Sequence, residues 1–165
     1  MGNVNKLARC YERLNIQLSD LDNRKILQKK IYFLQEFGFN LGYNFGFYIY
    51  GPYSTDLTSD AFALHDQFEV ARNTIVHDEL FQNEIETLDR LDDFLRDIPE
   101  VDLARQLELL SSIHFLNNHI YQPILNVRLM IREIRTRKPG RFTDGEIRRA
   151  WNRLQRLDLI QVEES

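Results

Sequence analysis

The chain lacks several features that mark particular classes of protein. Its 165 residues contain one cysteine, Cys10, so an internal disulfide is excluded and a reducing compartment such as the cytosol is expected. No apolar run reaches the roughly 18 residues of a transmembrane helix, and the first residues lack the apolar segment of a secretory signal. The sequence therefore predicts a cytoplasmic protein with no membrane partner.

Motifs for catalysis and for cofactor binding are also lacking. There is no glycine-rich phosphate loop, and neither Cys10 nor Ser54 has a neighbouring base that would activate it as a nucleophile. The histidines do not follow metal-ligand spacing; they are His65, His77, His114 and His119. The last two are five residues apart, a spacing expected to turn their rings away from each other on a helix. We therefore predict no enzyme, no catalytic residue, no cofactor and no metal site.

The composition that remains is that of a globular protein. The chain is 43% hydrophobic and 28% charged, and its length predicts one domain over residues 1–165. The net charge of -4 conceals two blocks of opposite sign. Residues 78–108 hold eleven acidic residues and three arginines, whereas residues 128–156 hold ten basic residues and three acidic ones. The blocks either attract each other, within the domain or across a homodimer, or face different partners.

Apolar residues recur at helical spacing along most of the chain. The pattern predicts helices over about 6–14, 23–37, 54–68, 80–97, 101–118, 124–137 and 143–157. Ser19 or Asp20 is the expected cap of the second helix and Ser54 that of the third, Thr143 and Glu146 form a capping box, and Gly38 is an expected helix stop. Lys25, Lys29 and Glu36 fall outside the apolar stripe of their helix, which predicts a polar face.

A short β element is predicted between the second and third helices. Residues 45–50 alternate at strand period, and Gly51-Pro52 is expected to end the strand before Ser54 caps the next helix. Residues 39–46 predict a loop or a bent hairpin, residues 72–77 are ambiguous with a short strand as one alternative, and residues 159–162 predict a short terminal strand. The predicted fold is mainly α: a single helical domain with a small β-hairpin or sheet element, with a winged-helix-like arrangement as one version of it.

Two surfaces are candidates for binding. The first is an aromatic patch, predicted as a protein interface because tyrosine combines a large apolar area with a polar tip; its members are Tyr43, Tyr48, Tyr50 and Tyr53. The alternative is that these side chains form the core of the β element. The second is a basic stripe on the last helix and the turn before it, made of Arg137, Lys138, Arg141, Arg148, Arg149, Arg153 and Arg156. Arginine suits phosphate, so a helix-turn-helix that binds DNA is the alternative function.

The segment RKILQKKIYFLQEFGFNLGYNFGFYIYGPYSTDL, residues 24–57, resembles the YwgA-like proteins of bacteria and archaea. Shared features are the helix around 27–35, Leu41-Gly42-Tyr43, and the aromatic strand ending Tyr50-Gly51-Pro52-Tyr53-Ser54. A more distant similarity is to Panacea antitoxin domains. These resemblances imply a non-catalytic regulatory or interaction module, antitoxin-like or associated with defence, that binds a protein partner. They imply no catalytic residues.

Overall fold

The computed structural model describes residues 2–70 and 80–163, and it is mainly helical with one small antiparallel sheet, as predicted. The helices of this part are α1 (Val4–Arg9), α2 (Tyr11–Leu14), α3 (Leu21–Glu36), α4 (Thr55–Val70), α5 (Gln82–Leu95), α6 (Leu103–Asn118), α7 (Val127–Arg137) and α8 (Asp144–Arg156), with a 3₁₀ turn at Glu100–Asp102. The strands are β1 (Gly46–Tyr48) and β2 (Gly51–Tyr53). The ambiguous residues 72–77 lie outside the described residues.

Helix α6 is the centre of the fold. It packs against α3, α7, α8 and β2, so every side chain from Leu107 to Asn117 is buried. A helix covered on all sides also buries its polar residues, which here are Glu108, Ser111, Ser112, His114 and Asn117. Buried polar groups need hydrogen-bond partners. Among the described residues the Ser112 hydroxyl has no such partner, and the other four polar residues of α6 mark the places where the interior carries specific contacts.

The predicted helix ends are set by local capping. The Asp20 carboxylate accepts from the Asn23 amide at 2.8 Å, and Thr143 and Glu146 form the reciprocal capping box of α8. Gly38 ends α3 with a φ of 106°, in the left-handed region that glycine adopts without strain. The first predicted helix, by contrast, is broken at Cys10 into α1 and α2, and Cys10 is fully buried.

The expected end of the strand at Gly51-Pro52 was wrong. These residues begin β2, which pairs with β1 in the register Gly46–Tyr53, Phe47–Pro52 and Tyr48–Gly51. The chain therefore reverses at Ile49-Tyr50, earlier than predicted. Pro52 is tolerated because a sheet of two strands has only edges, where a missing N–H breaks no interior ladder.

The predicted strand at 159–162 is not formed. The Gln161 amide donates instead to the side chain of Asn117 at 2.8 Å, and the Glu163 amide donates to the Leu125 carbonyl at 2.9 Å. These contacts hold the chain against the end of α6 as an irregular segment, so it does not provide a wing strand. Within the described part, no helix is both long enough and apolar enough to cross a membrane.

Candidate functional site

A cavity of about 390 Å³ lies beside the β-hairpin, between it and the first turns of α3 and α4. We call it the hairpin pocket; it is lined by Leu21, Arg24, Lys25, Gln28, Lys29, Tyr48, Ile49, Tyr50, Tyr53, Thr58 and Phe62. Four of its apolar side chains are unusually exposed: Leu21 at 44%, Tyr48 at 55%, Ile49 at 76% and Phe62 at 42%. The lining thus combines an apolar rim with three basic side chains and no acidic one.

The wall of the hairpin pocket is fixed by hydrogen bonds. The Gln28 amide donates to the Ser54 carbonyl at 3.1 Å and to the Thr58 hydroxyl at 2.9 Å, and its oxygen accepts from the Ser54 amide. The Thr58 hydroxyl in turn donates to the Tyr53 hydroxyl at 2.6 Å. The ring of Tyr48 packs edge-on against Tyr53, with centroids 5.6 Å apart. The aromatic side chains of this wall are therefore held in place from α3 and α4.

A buried charged group lies beneath the hairpin, and we call it the Glu108 cluster. The Glu108 carboxylate has no exposed surface and contacts three cations: Lys25 at 3.0 Å, Lys138 at 3.1 Å and Arg141 at 2.7 Å. Lys29, also buried, is a further member. Glu108 belongs to the acidic block of the sequence, whereas Lys138 and Arg141 belong to the basic block. The two blocks therefore meet inside this domain.

The cluster binds the hairpin through backbone and ring contacts. The Lys138 ammonium donates to the Ile49 carbonyl at 2.6 Å, and the Lys29 ammonium donates to the Pro52 carbonyl at 2.7 Å. The ring of Tyr50 contacts two cations, with the Lys25 nitrogen 4.5 Å and the Arg141 guanidinium carbon 5.2 Å from its centroid. Both the turn and β2 are thus attached to charges in the interior.

Burial and charge shift the pKa values of the cluster in opposite directions. Burial lowers the pKa of Lys29 to about 7, against the opposing attraction of Glu108. Burial likewise lowers the pKa of Lys138. Burial alone would raise the pKa of Glu108, but the hydrogen bond from Lys25 and the charge of Lys138 bring it below its ordinary value. One carboxylate therefore faces several cations, and the interior beside the hairpin pocket carries an excess of positive charge.

The predicted aromatic patch is only partly on this surface. Tyr48, Tyr50 and Tyr53 line the hairpin pocket. Tyr43 does not belong to the surface: it is 4% exposed, and its hydroxyl donates to the Asp60 carboxylate at 2.8 Å. It is buried because the segment before β1 packs back onto α3, where Gln35 holds both the amide and the carbonyl of Tyr43.

The predicted basic stripe is divided between interior and surface. Lys138 is 3% exposed and cannot reach an external phosphate, because Glu108 and the hairpin hold it. Arg141 binds Glu108, Arg153 donates to the Phe94 carbonyl, and Arg137 pairs with Glu133. The exposed members are Arg137, which is paired with Glu133, and Arg148, Arg149 and Arg156 on α8.

A groove of about 820 Å³ runs past the exposed part of this stripe, between α8 and the segment that joins α5 to the first turn of α6. Arg149, Arg153 and Arg156 line it on one side, and Asp97 and Asp102 belong to the same lining. Carboxylates in this position repel phosphate, so the groove does not provide the uniformly basic surface that the stripe suggested.

A second polar cluster joins the ends of α3 and α6. His119 Nε2 lies 2.5 Å from a Glu36 carboxylate oxygen, and His114 Nδ1 lies 2.6 Å from the Tyr32 hydroxyl oxygen. The rings of His114 and His119 are 5.9 Å apart, so the expectation that they point away from each other was wrong. His119 is the residue that caps α6, and its backbone (φ −122°, ψ 9°) has left the helix, so helical spacing no longer sets its direction.

Sequence reasoning missed the two residues that organise the site. Lys29 was expected on a polar face but is 1% exposed, because α3 is covered by the hairpin as well as by α6. Glu108 stands among Leu107, Leu109 and Leu110, and an acid within such an apolar run was the available signal of a buried ion pair. Comparison of the chain with known protein families, with curated proteins and with solved structures found no match.

Proposed function

We propose that the protein is a non-catalytic interaction module, located in the cytoplasm, that binds a partner protein at the hairpin pocket. The observation that carries this proposal is the group of four exposed apolar side chains at the rim: Leu21, Tyr48, Ile49 and Phe62. Exposed aromatic and aliphatic side chains around a cavity are typical of binding surfaces. Ile49 lies in the hairpin turn and is 76% exposed, so an occupant confined to the cavity would leave much of its side chain in water. A partner larger than the pocket would cover it.

The charge of the pocket specifies the chemistry of the partner. Arg24, Lys25 and Lys29 line the cavity without an acidic residue. Lys29 is buried and bound to the Pro52 carbonyl, which leaves half-buried Arg24 and Lys25 as the cations within reach of a partner. We expect the partner to insert a large apolar side chain and to place a carboxylate beside it, near these cations. Such pairing raises the rate of association and selects against basic partners.

The proposal is tested by selecting peptides from a random displayed library on the wild-type protein and measuring the affinity of the selected peptides by fluorescence polarisation. We expect sequences with an aromatic or large aliphatic residue next to Asp or Glu, and weaker binding at higher salt. Ile49→Asp should lower the affinity at least tenfold. The control is Val101→Asp, because Val101 is 91% exposed and lies outside the pocket lining.

Two results would contradict the proposal: no selected acidic–apolar pattern, or equal binding by wild type and Ile49→Asp. A second copy of this chain is a different occupant of the same surface. Sedimentation of the wild type and Ile49→Asp distinguishes it, since a dimer formed through the hairpin should dissociate in the variant.

The resemblance to YwgA-like proteins and Panacea antitoxin domains supports a narrower proposal, that the partner is a toxin or another component of a defence system. Co-expression tests it. A toxin encoded by a neighbouring gene should be neutralised by the wild-type chain and not by Ile49→Asp. Neutralisation by both proteins would contradict the hairpin as the toxin-binding surface.

DNA binding through α8 is the second candidate function, supported by the exposed side chains of Arg148, Arg149 and Arg156. Replacing Arg148 and Arg149 by glutamate should abolish a salt-dependent gel shift. Absence of a shift by the wild-type protein at low ionic strength would exclude this candidate.

A further inference from the structure

Glu36, His114 and His119 bring three ligand-type atoms into one small region. A carboxylate oxygen of Glu36 and one ring nitrogen from each histidine all lie within 4.8 Å of one another. The residues come from two helices that pack along each other, Glu36 from the end of α3 and the histidines from the end of α6. Two imidazoles and one carboxylate form a ligand set that zinc and other divalent transition metals share, and one that magnesium and calcium disfavour.

The contacts that Tyr32 makes with the His114 ring suit a metal ligand. The Tyr32 hydroxyl lies 2.6 Å from His114 Nδ1, so one ring nitrogen of His114 is fixed by a hydrogen bond and Nε2 is not engaged by that contact. Histidine ligands of metals are usually oriented in this way by a hydrogen bond at their other nitrogen. Tyr32 is itself 2% exposed and packs edge-on against the His114 ring. The buried half of the cluster is therefore rigid.

The other half of the cluster opens to solvent. A cavity of about 310 Å³ is lined by Tyr32, Glu36 and His119 together with Gln35, Tyr43, Asn44, Phe45 and Phe115. The side chains of Glu36 and His119 are 27% and 40% exposed, so an ion can enter from this side. Three protein ligands beside a cavity leave a fourth coordination position for water or another small ligand.

We propose that Glu36, His114 and His119 bind a divalent transition-metal ion, with zinc as the ion to be tested first. In a tetrahedral zinc site with bonds of 2.0–2.1 Å, ligand atoms are about 3.3 Å apart. The widest separation in the cluster must therefore close by at most about 1.5 Å. His119 can supply this movement because it lies at the end of α6 and is exposed. The metal then replaces the direct Glu36–His119 hydrogen bond.

The inference is independent of the proposed protein interface, since the cluster shares no lining residue with the hairpin pocket. The competing explanation is a hydrogen-bonded network that joins α3 to α6 without a metal. Zinc titration of the chelator-treated full chain separates the metal site from the metal-free network. Binding is measured by isothermal calorimetry, and the effect of zinc on stability is measured as the thermal midpoint of unfolding.

We expect one zinc per chain with a Kd below about 10 µM, and a rise in the thermal midpoint at saturating zinc. His119→Gln and Glu36→Gln should each weaken binding at least tenfold and abolish the rise in midpoint. Both positions are partly exposed, so the variants should fold. His65→Gln is the control, because His65 lies on α4 and bonds to Tyr11 instead. Cobalt should give the visible absorption of a four-coordinate site in the wild type and lose it in His119→Gln.

Two results would overturn the proposal. One is the absence of stoichiometric zinc binding by the wild-type chain at 100 µM metal. The other is binding that His119→Gln and Glu36→Gln leave unchanged while His65→Gln removes it, since the metal would then lie elsewhere.

Discussion

Replacing Glu108 by glutamine should be among the most destabilising conservative changes in the chain. The substitution keeps the shape of the side chain but removes the single negative charge that Lys25, Lys138 and Arg141 share. Glu108 and Lys138 are both almost completely buried, with side-chain exposures of 0% and 2%. Removing one partner of a buried ion pair costs about 3–5 kcal/mol, because the remaining charge has lost its counter-ion and cannot reach water.

The expected loss is large enough to measure directly. For a chain of this size, each kcal/mol lowers the thermal midpoint by about 2–4 °C, so Glu108→Gln should lower it by about 10 °C. Urea denaturation at pH 7 should give the corresponding loss in the free energy of unfolding. The matched control is Glu133→Gln, since Glu133 pairs with Arg137 one turn away on the surface of α7. An exposed pair of this kind contributes about 0.3–0.5 kcal/mol.

The double variant Glu108→Gln with Lys138→Met separates charge from shape. Removing the stranded cation should recover part of the lost stability, whereas two independent losses would add. A loss below about 1 kcal/mol for Glu108→Gln alone would refute the argument, because Glu108 would then contribute no more than a surface pair.

Two further stability measurements address the contacts of the hairpin. The free energy of unfolding of the wild type should rise between pH 7 and pH 10, because native Lys29 has lost its proton above a pKa of about 7 whereas the unfolded lysine keeps it until about 10.5. Lys29→Met should make this rise shallower, and the control Lys6→Met, at a half-buried lysine that donates to the Asn40 carbonyl, should not. An unchanged slope in Lys29→Met would contradict the assignment. Gly51→Ala should cost more than Gly38→Ala in urea denaturation: both glycines have positive φ, but a Cβ at Gly51 would lie 2.5 Å from the Ser112 hydroxyl, whereas nothing lies within 4 Å of one at Gly38. Equal losses at the two glycines would mean that the contact with Ser112 contributes nothing.

The helix ends were predictable because they depend on interactions between neighbouring residues. The burial of Lys29 was missed because it depends on contacts with distant parts of the chain. Asp20, Gly38 and Thr143 act on amides or dihedrals within a few residues, so their roles can be inferred from neighbouring sequence. Lys29 is buried by a hairpin more than fifteen residues away in sequence, and its ammonium binds the Pro52 carbonyl. No periodicity within α3 contains that information.

The candidate site likewise combines residues that local sequence indicates with residues that only long-range contacts explain. The sequence indicates Tyr48, Tyr50 and Tyr53 because aromatic residues cluster around the Gly51-Pro52 pair, and all three line the hairpin pocket. The basic stripe was misleading because charge counted along a helix does not show which cations an interior carboxylate will bind. Lys138 and Arg141 bind Glu108, thirty or more residues earlier in the chain.

The contact between Lys138 and the hairpin turn sets an order for folding during synthesis. Ile49 and Lys138 are 89 residues apart, so the turn leaves the ribosome long before the ammonium that holds its carbonyl. A two-stranded hairpin is marginally stable by itself. Its native arrangement is therefore completed only after α7 and the following turn have emerged. A nascent or truncated chain ending before Lys138 presents the aromatic residues without this contact, so a partner that recognised the folded hairpin would distinguish chains that extend past Lys138 from chains that do not.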